Sequence, residues 1–358
     1  MRILFVTPSL GTGGAERLTV DSALGMQKRG HTVGVVYGFL ALQAEPLREA
    51  GVNLYERPGA TPELLNLLPW ARHIRRAIRD FRPDVIYAQS VATALAARLA
   101  SHRSRMLVTV HGISHTDERL ASILFKASGV TLTAVSEASA AGLRRYPWSP
   151  PVEVLRPGVD AEQVVEQSRA IDPVDKVGDP SLTVVARQQP EKGTDVLLRA
   201  LPALALQLPK VGLMVVGIGE ELEANRQLAV DLGIADRVKF VGLVSNAAPQ
   251  LAAADIVVLP SRREGLPIVA LEALSLARPV VATRVGGTPT VVVAGETGWL
   301  AEPEDEASLV ATIVACWSDP AEAARRGLAG RALVEEQYGI KSMHDRIEQL
   351  LLELANRG

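Results

Sequence analysis

The 358-residue chain has a single cysteine, Cys316, which excludes a disulfide framework, a cysteine-rich zinc site and an iron–sulfur cluster. Set between Ala315 and Trp317 in an amphipathic pattern, that thiol reads as a core side chain. No apolar run approaches the roughly 20 residues of a membrane span, and Ile3–Val6 is too short for a signal peptide. The expectation is a cytoplasmic protein. No Asp-x-Asp pair occurs, so a common carboxylate handle for a divalent metal is missing and no metal or cofactor is expected. Neither a G-x-G-x-x-G fingerprint nor a Gly-Lys-Ser/Thr loop is present, which weakens dehydrogenase and P-loop readings. Strong charge of either sign is also lacking. The net charge is −2, with +5 in residues 1–170 and −7 in the remainder. Without an aromatic-basic array, that bias is too small for nucleic acid, although it suits an anionic acceptor or membrane surface.

Charged residues make up 22% and hydrophobic ones 47%, a balance suited to two α/β domains with cores of their own. Short β-branched runs alternate with helical patterns in two blocks. The first block has strands over 2–6, 32–37, 85–87, 106–110, 132–135 and 152–155. The second has strands over 182–186, 213–216, 238–240, 256–259 and 280–282. This alternation predicts two doubly wound parallel sheets. The domains are expected at 1–165 and 166–340, joined by a polar linker around Asp172-Pro173 and followed by a C-terminal helix over 341–358.

Chemistry concentrates at the predicted carboxyl ends of strands, where ligands of open α/β sheets sit. Glu264 hangs in a loop after a strand, Pro267 suits a helix start, and Glu272 lies within that helix. A carboxylate pair beside free helix N–H groups suits a hydroxyl-rich, phosphorylated molecule. Arg187 and Lys192 place two cations on another such loop. Gly11, Gly13 and Gly14 follow the first strand and let a backbone approach a ligand closely. His111 ends a strand and is open to a structural or a ligand-binding reading. His115 lacks companions for a metal. Arg72, Arg75, Arg76 and Arg79 form a basic stripe at helical spacing, either a solvated face or a docking face for anionic lipid.

Taken in order, these segments resemble the retaining GT-B glycosyltransferases of family four. Glu264-x7-Glu272, Arg187…Lys192-Gly193, Gly11–Arg17, Thr109–Gly112, Leu155–Asp160, Gly217–Glu220, Val241–Val244 and Val285–Pro289 carry the likeness over nearly the whole chain. The resemblance implies two Rossmann-like domains facing across a cleft, with acceptor binding in the first and nucleotide-sugar binding in the second. It implies that Arg187 and Lys192 bind the diphosphate, Glu272 the ribose and Glu264 the sugar hydroxyls. The backbone of Gly265 and Leu266 would hold the sugar, Val244 and its neighbours the base, and Gly217 would belong to the same donor site. Gly13 and Gly14 would close over the diphosphate, and His111 would face the donor sugar. The implied reaction is metal-independent transfer from a UDP-sugar, or second a GDP-sugar, to a small-molecule, glycan or lipid-linked acceptor. Weak peripheral membrane contact fits such an acceptor. Two rivals stand beside it: a sugar-nucleotide epimerase on the same fold, and a non-catalytic nucleotide-sugar-binding protein.

Overall fold

The computed structural model describes residues 1–11, 13–38, 42–57, 66–111, 130–147, 149–169 and 174–356. Thr12, Gly112, His115 and the expected linker at Asp172-Pro173 lie outside them. The chain divides into two compact units, Met1–Gly158 with Lys341–Gly358, and Val159–Ile340. This division falls ahead of residue 165 because the helix Ala161–Arg169 buries Val164 and packs on the helices Ala248–Ala253 and Ile268–Ser275 of the second unit. The final helix, Ile340–Asn356, buries Met343, Ile347, Leu350, Leu351 and Leu354. It is tied to the first unit by Arg29 on Asp345 and Glu348, and by Arg346 on Glu153.

In the first unit seven parallel strands stand in the order β3-β2-β1-β4-β5-β6-β7. They are β1 (Arg2–Val6), β2 (Thr32–Tyr37), β3 (Asn53–Glu56), β4 (Val85–Ala88), β5 (Met106–Val110), β6 (Thr131–Ala134) and β7 (Val152–Val154). The second unit has β8 (Ser181–Val185), β9 (Gly212–Val216), β10 (Val238–Gly242), β11 (Ile256–Leu259), β12 (Val280–Thr283) and β13 (Trp299–Ala301). Their order is β10-β9-β8-β11-β12-β13. Each sheet therefore reverses direction of growth once, between β1 and β4 and between β8 and β11. Such reversals leave a crevice outside the carboxyl ends of the strands, which is where a doubly wound fold binds ligands. β8 and β11 pair only at Leu182–Ile256 and Thr183–Val257, so the crevice begins early.

Central strands such as Leu4, Phe5, Val257 and Val258 are fully buried, as a sheet covered on both faces requires. The expected basic helix spans Leu67–Phe81 and buries Trp70, Ile74, Ala77 and Phe81. Arg75 on it caps the carbonyls of Leu99 and Ala100, while Arg72, Arg76 and Arg79 stay exposed. Among the described residues no helix is long and apolar enough to cross a membrane.

Candidate functional site

The residues singled out in the second unit collect at the carboxyl edge of its sheet. Past β8 the chain turns through Pro190–Lys192 and enters the helix Thr194–Gln207. Gly193 makes that turn with φ +64°, and a Cβ there would stand 2.0 Å from the Pro260 carbonyl oxygen. Only glycine allows both the left-handed conformation and the contact between the β8 and β11 loops. Arg262 fastens the two loops. Its Nη1 and Nη2 donate to the Asp195 carboxylate at 2.7 and 2.8 Å, Nη1 also donates to the Pro190 carbonyl at 2.6 Å, and its backbone N–H meets the Glu191 carbonyl at 2.8 Å. Burial pushes the Asp195 carboxyl up, but the Arg262 and Arg199 guanidinium groups outweigh it and hold it below its ordinary value.

This clasp brings Lys192 onto Glu264. Lys192 Nζ donates to Glu264 Oε1 at 2.8 Å, and the Ser261 hydroxyl donates to the same oxygen at 2.8 Å. The Glu264 side chain is 10% exposed and that of Lys192 21%, so the pair is shielded yet reachable. Oε2 makes no hydrogen bond among the described residues. Behind it, Gly286 has φ +51°, and a Cβ there would lie 1.7 Å from the Glu264 carbonyl oxygen. The Gly287 N–H bonds the Gly265 carbonyl at 3.0 Å. The β12 loop thus fixes the turn that carries Glu264 and Gly265. Gly265 and Leu266 are buried in it. Pro267 caps the helix Ile268–Ser275 from outside rather than opening it, and Glu272 is half-buried on that helix. Arg187 is exposed beside β8 and makes no ion pair among the described residues.

Gly217 and Val244 follow the adjacent strands β9 and β10. The Gly217 N–H bonds the Gly242 carbonyl at 2.8 Å, and a Cβ on Gly217 would stand 2.0 Å from the Ala186 carbonyl oxygen. Gly217 therefore has a packing reason to be glycine. Val244 is half-buried. Beside them Ile218 and Leu243 are 42% and 43% exposed, two large apolar side chains on neighbouring strand ends. The sequence reading missed these, and also Ser261 and Arg262, since no spacing rule separates a loop clasp from a solvated arginine.

In the first unit the corresponding edge holds Gly13, Gly14 and His111. Gly13 caps the helix Gly14–Lys28 in an extended conformation (φ −77°, ψ 162°), so it contributes a bare backbone rather than a special dihedral. Glu16 in the first turn accepts from the Ser9 hydroxyl at 2.9 Å. His111 Nε2 lies 2.9 Å from Gln89 Oε1, and burial pushes the imidazole down to about 4. The ring is neutral at physiological pH.

Two family descriptions match the chain: "Glycosyltransferase Family 4" over residues 12–163 and "Glycosyl transferases group 1" over residues 179–319. The GDP-mannose-dependent alpha-(1-6)-phosphatidylinositol monomannoside mannosyltransferase of Mycolicibacterium smegmatis is 35% identical over 213 residues, 56% of each chain. The chain thus spans about half the length of that curated relative. The lipopolysaccharide core biosynthesis glycosyltransferase LpsD of Rhizobium meliloti is 27% identical over 97% of this chain and 96% of its own. Among solved structures, Anabaena HepE in complex with UDP and glucose superposes with a TM-score of 0.83 at 22% identity, covering 99% of this chain and all of that one. The two sheets and these likenesses establish a two-domain GT-B fold.

Proposed function

With glycosyltransferase descriptions matching both halves of a GT-B chain, we propose that the protein transfers a sugar from a nucleoside-diphosphate donor, with retention and without a divalent metal. The observation that carries this is the Lys192–Glu264 pair at the β8–β11 crevice. It sets a cation for the diphosphate against an acceptor for sugar hydroxyls. Arg187, exposed on the same edge, would complete the diphosphate cradle. Charge-assisted bonds to the leaving phosphate strengthen as it gains charge, which is how such a cradle speeds the reaction. Glu272 would accept from the ribose, the turn at Gly265 and Leu266 would hold the sugar, and Val244 with Ile218 and Leu243 would cover the base. Gly13 and Gly14 would serve the diphosphate, and neutral His111 the sugar. No carboxylate is assigned as nucleophile, so the leaving phosphate acts as base for same-face attack.

A UDP-sugar is our first choice of donor, supported by the UDP in the HepE complex, and a GDP-sugar the second, supported by the mannosyltransferase relative's name. The acceptor is a small molecule, a glycan or a lipid-linked molecule. Incubation with a panel of UDP- and GDP-sugars and candidate acceptors, followed by nucleotide release and anomer analysis of the product, tests the reading. Donor binding without release would favour a binding protein, interconversion of the sugar an epimerase, and an inverted product would refute retention.

A further inference from the structure

The loop that carries Arg187 is held by two buried side-chain amides. β8 and β9 last pair at Val185–Val216, and the Ala186 N–H still reaches the Val216 carbonyl at 3.0 Å. Beyond that point the Gln188 side chain takes over. It is fully buried, and its Nε2 donates to the Ala186 carbonyl at 2.9 Å. Its Oε1 accepts from Nδ2 of Asn225 at 3.2 Å, a buried residue on the helix Leu222–Asp231. The orientation of both amides follows from the Ala186 carbonyl, which can only accept. The group facing it must be the Gln188 NH2. Gln188 therefore turns its oxygen to Asn225, and Asn225 must answer with its own NH2.

The backbone repeats the same clamp. The Gln188 N–H donates to the Ile218 carbonyl at 2.9 Å, and the Glu221 N–H donates to the Gln188 carbonyl at 2.9 Å. A Cβ on Gly219 would stand 2.2 Å from that carbonyl oxygen, so the chain after β9 lies flush against it. Both neighbours of Arg187, Ala186 and Gln188, are thus fixed while its own side chain stays exposed. A glutamine that only filled space here would be a poor choice, because its polar ends need partners that an apolar side chain does not. Both ends have them, and a satisfied buried network stiffens the backbone it joins.

We propose that Gln188, held by Asn225, is a positioning residue that fixes the Arg187 backbone and so aims its guanidinium at the donor diphosphate. This rests on the reading of Arg187 as a diphosphate ligand. An arginine loses rotamer freedom when it grips a phosphate, and a rigid main chain confines that loss to the side chain. The staple therefore acts on nucleotide affinity through Arg187.

Gln188→Met keeps the length of the side chain and removes both polar ends. In amide hydrogen exchange it should speed the Gln188 and Glu221 amides about tenfold or more, while the amides of Leu213–Val216 on β9 keep wild-type protection. Should it fail to fold, Asn225→Leu opens the staple from the other end and should give the same pattern. In calorimetry with UDP and with GDP, the nucleotide that binds the wild type should bind Gln188→Met about tenfold more weakly. In an Arg187→Ala background the same substitution should weaken binding no further, because no guanidinium is left to aim. A general structural role would give the same loss in both backgrounds, and that result overturns the proposal. So does unchanged exchange in both Gln188→Met and Asn225→Leu. Should neither nucleotide bind the wild type, or Arg187→Ala bind it unweakened, the diphosphate reading falls and the aiming role with it. The exchange rates need no nucleotide, so they judge the staple separately.

Discussion

Lys192 and Glu264 have opposite proposed duties, yet without ligand they hold each other at 2.8 Å. A diphosphate arriving at Lys192 must share it with a carboxylate of its own sign. Glu264→Gln should therefore bind bare UDP somewhat more tightly, by about 1 kcal/mol, while turnover falls because the sugar loses its acceptor. Glu272→Ala should do the reverse and weaken UDP itself. Calorimetry with UDP separates them, and equal losses in both variants would refute the division of duties. His111 offers a second check through stability. Its pKa is about 4 in the folded chain against about 6.5 unfolded, so between those values the unfolded state binds more protons. Stability should fall as pH drops through that window, by about 3 kcal/mol across it from this group. His73 and His344, also lowered by burial, add in the same direction. Denaturant titrations of wild type and His111→Asn from pH 7 to pH 4 should show a flatter profile for the variant. The sequence singles out the lysine, the glutamate and the histidine by type and position. The Lys192–Glu264 pairing was not legible there, because it joins loops that follow different strands and leaves no local spacing to read.

Elements supply the stiffness that those side chains need. The β8, β11 and β12 loops are locked by two glycines with positive φ and by Arg262. Gly286→Ala puts a Cβ against the Glu264 carbonyl oxygen in a left-handed conformation. It should cost on the order of 2–4 kcal/mol and displace Glu264, so turnover falls with stability. Arg262→Ala removes bonds to Asp195 and to the Pro190 carbonyl, and about 1–3 kcal/mol is expected from charged hydrogen bonds of that kind. Here kcat/KM should drop further than the melting shift implies, because the turn that aims Lys192 loosens; activity unchanged in a folded variant would count against the clasp. The interior strands were legible because buried parallel strands are continuous apolar runs. β3 was missed, since Asn53-Leu54-Tyr55-Glu56 sits at an edge and lacks such a run. The helix Pro320–Gln337 was missed because Gly327 and Gly330 discount a helical reading. Both pack tightly: a Cβ on Gly327 would meet the Ala277 carbonyl at 2.3 Å, and one on Gly330 would meet the Leu274 side chain at 2.3 Å. Tertiary approach overrode local propensity there.

At the scale of the whole molecule the question is where the charge of a leaving diphosphate goes. The sequence has no Asp-x-Asp pair, and residues 171–358 carry a net charge of −7, so the half that would bind the donor has no general excess of cations to offer. Neutralisation must then be local. On the proposed reading, Arg187, Lys192 and the backbone N–H groups at the helix starts of Thr194–Gln207 and Ile268–Ser275 would supply it. Such groups act without a soluble cation. Turnover should therefore survive EDTA unchanged, and added Mg²⁺ or Mn²⁺ should neither raise the wild-type rate nor rescue Arg187→Ala. That variant should lose several kcal/mol of transition-state stabilisation, a loss of about a hundredfold or more in kcat, because the contact strengthens as the phosphate departs. Raising ionic strength should weaken donor binding in the wild type less than an exposed charge network would suggest, since Lys192 is largely buried against Glu264. A strict metal requirement, or rescue of Arg187→Ala by Mg²⁺, would mean that the diphosphate is neutralised through an ion and that the two cations serve another purpose.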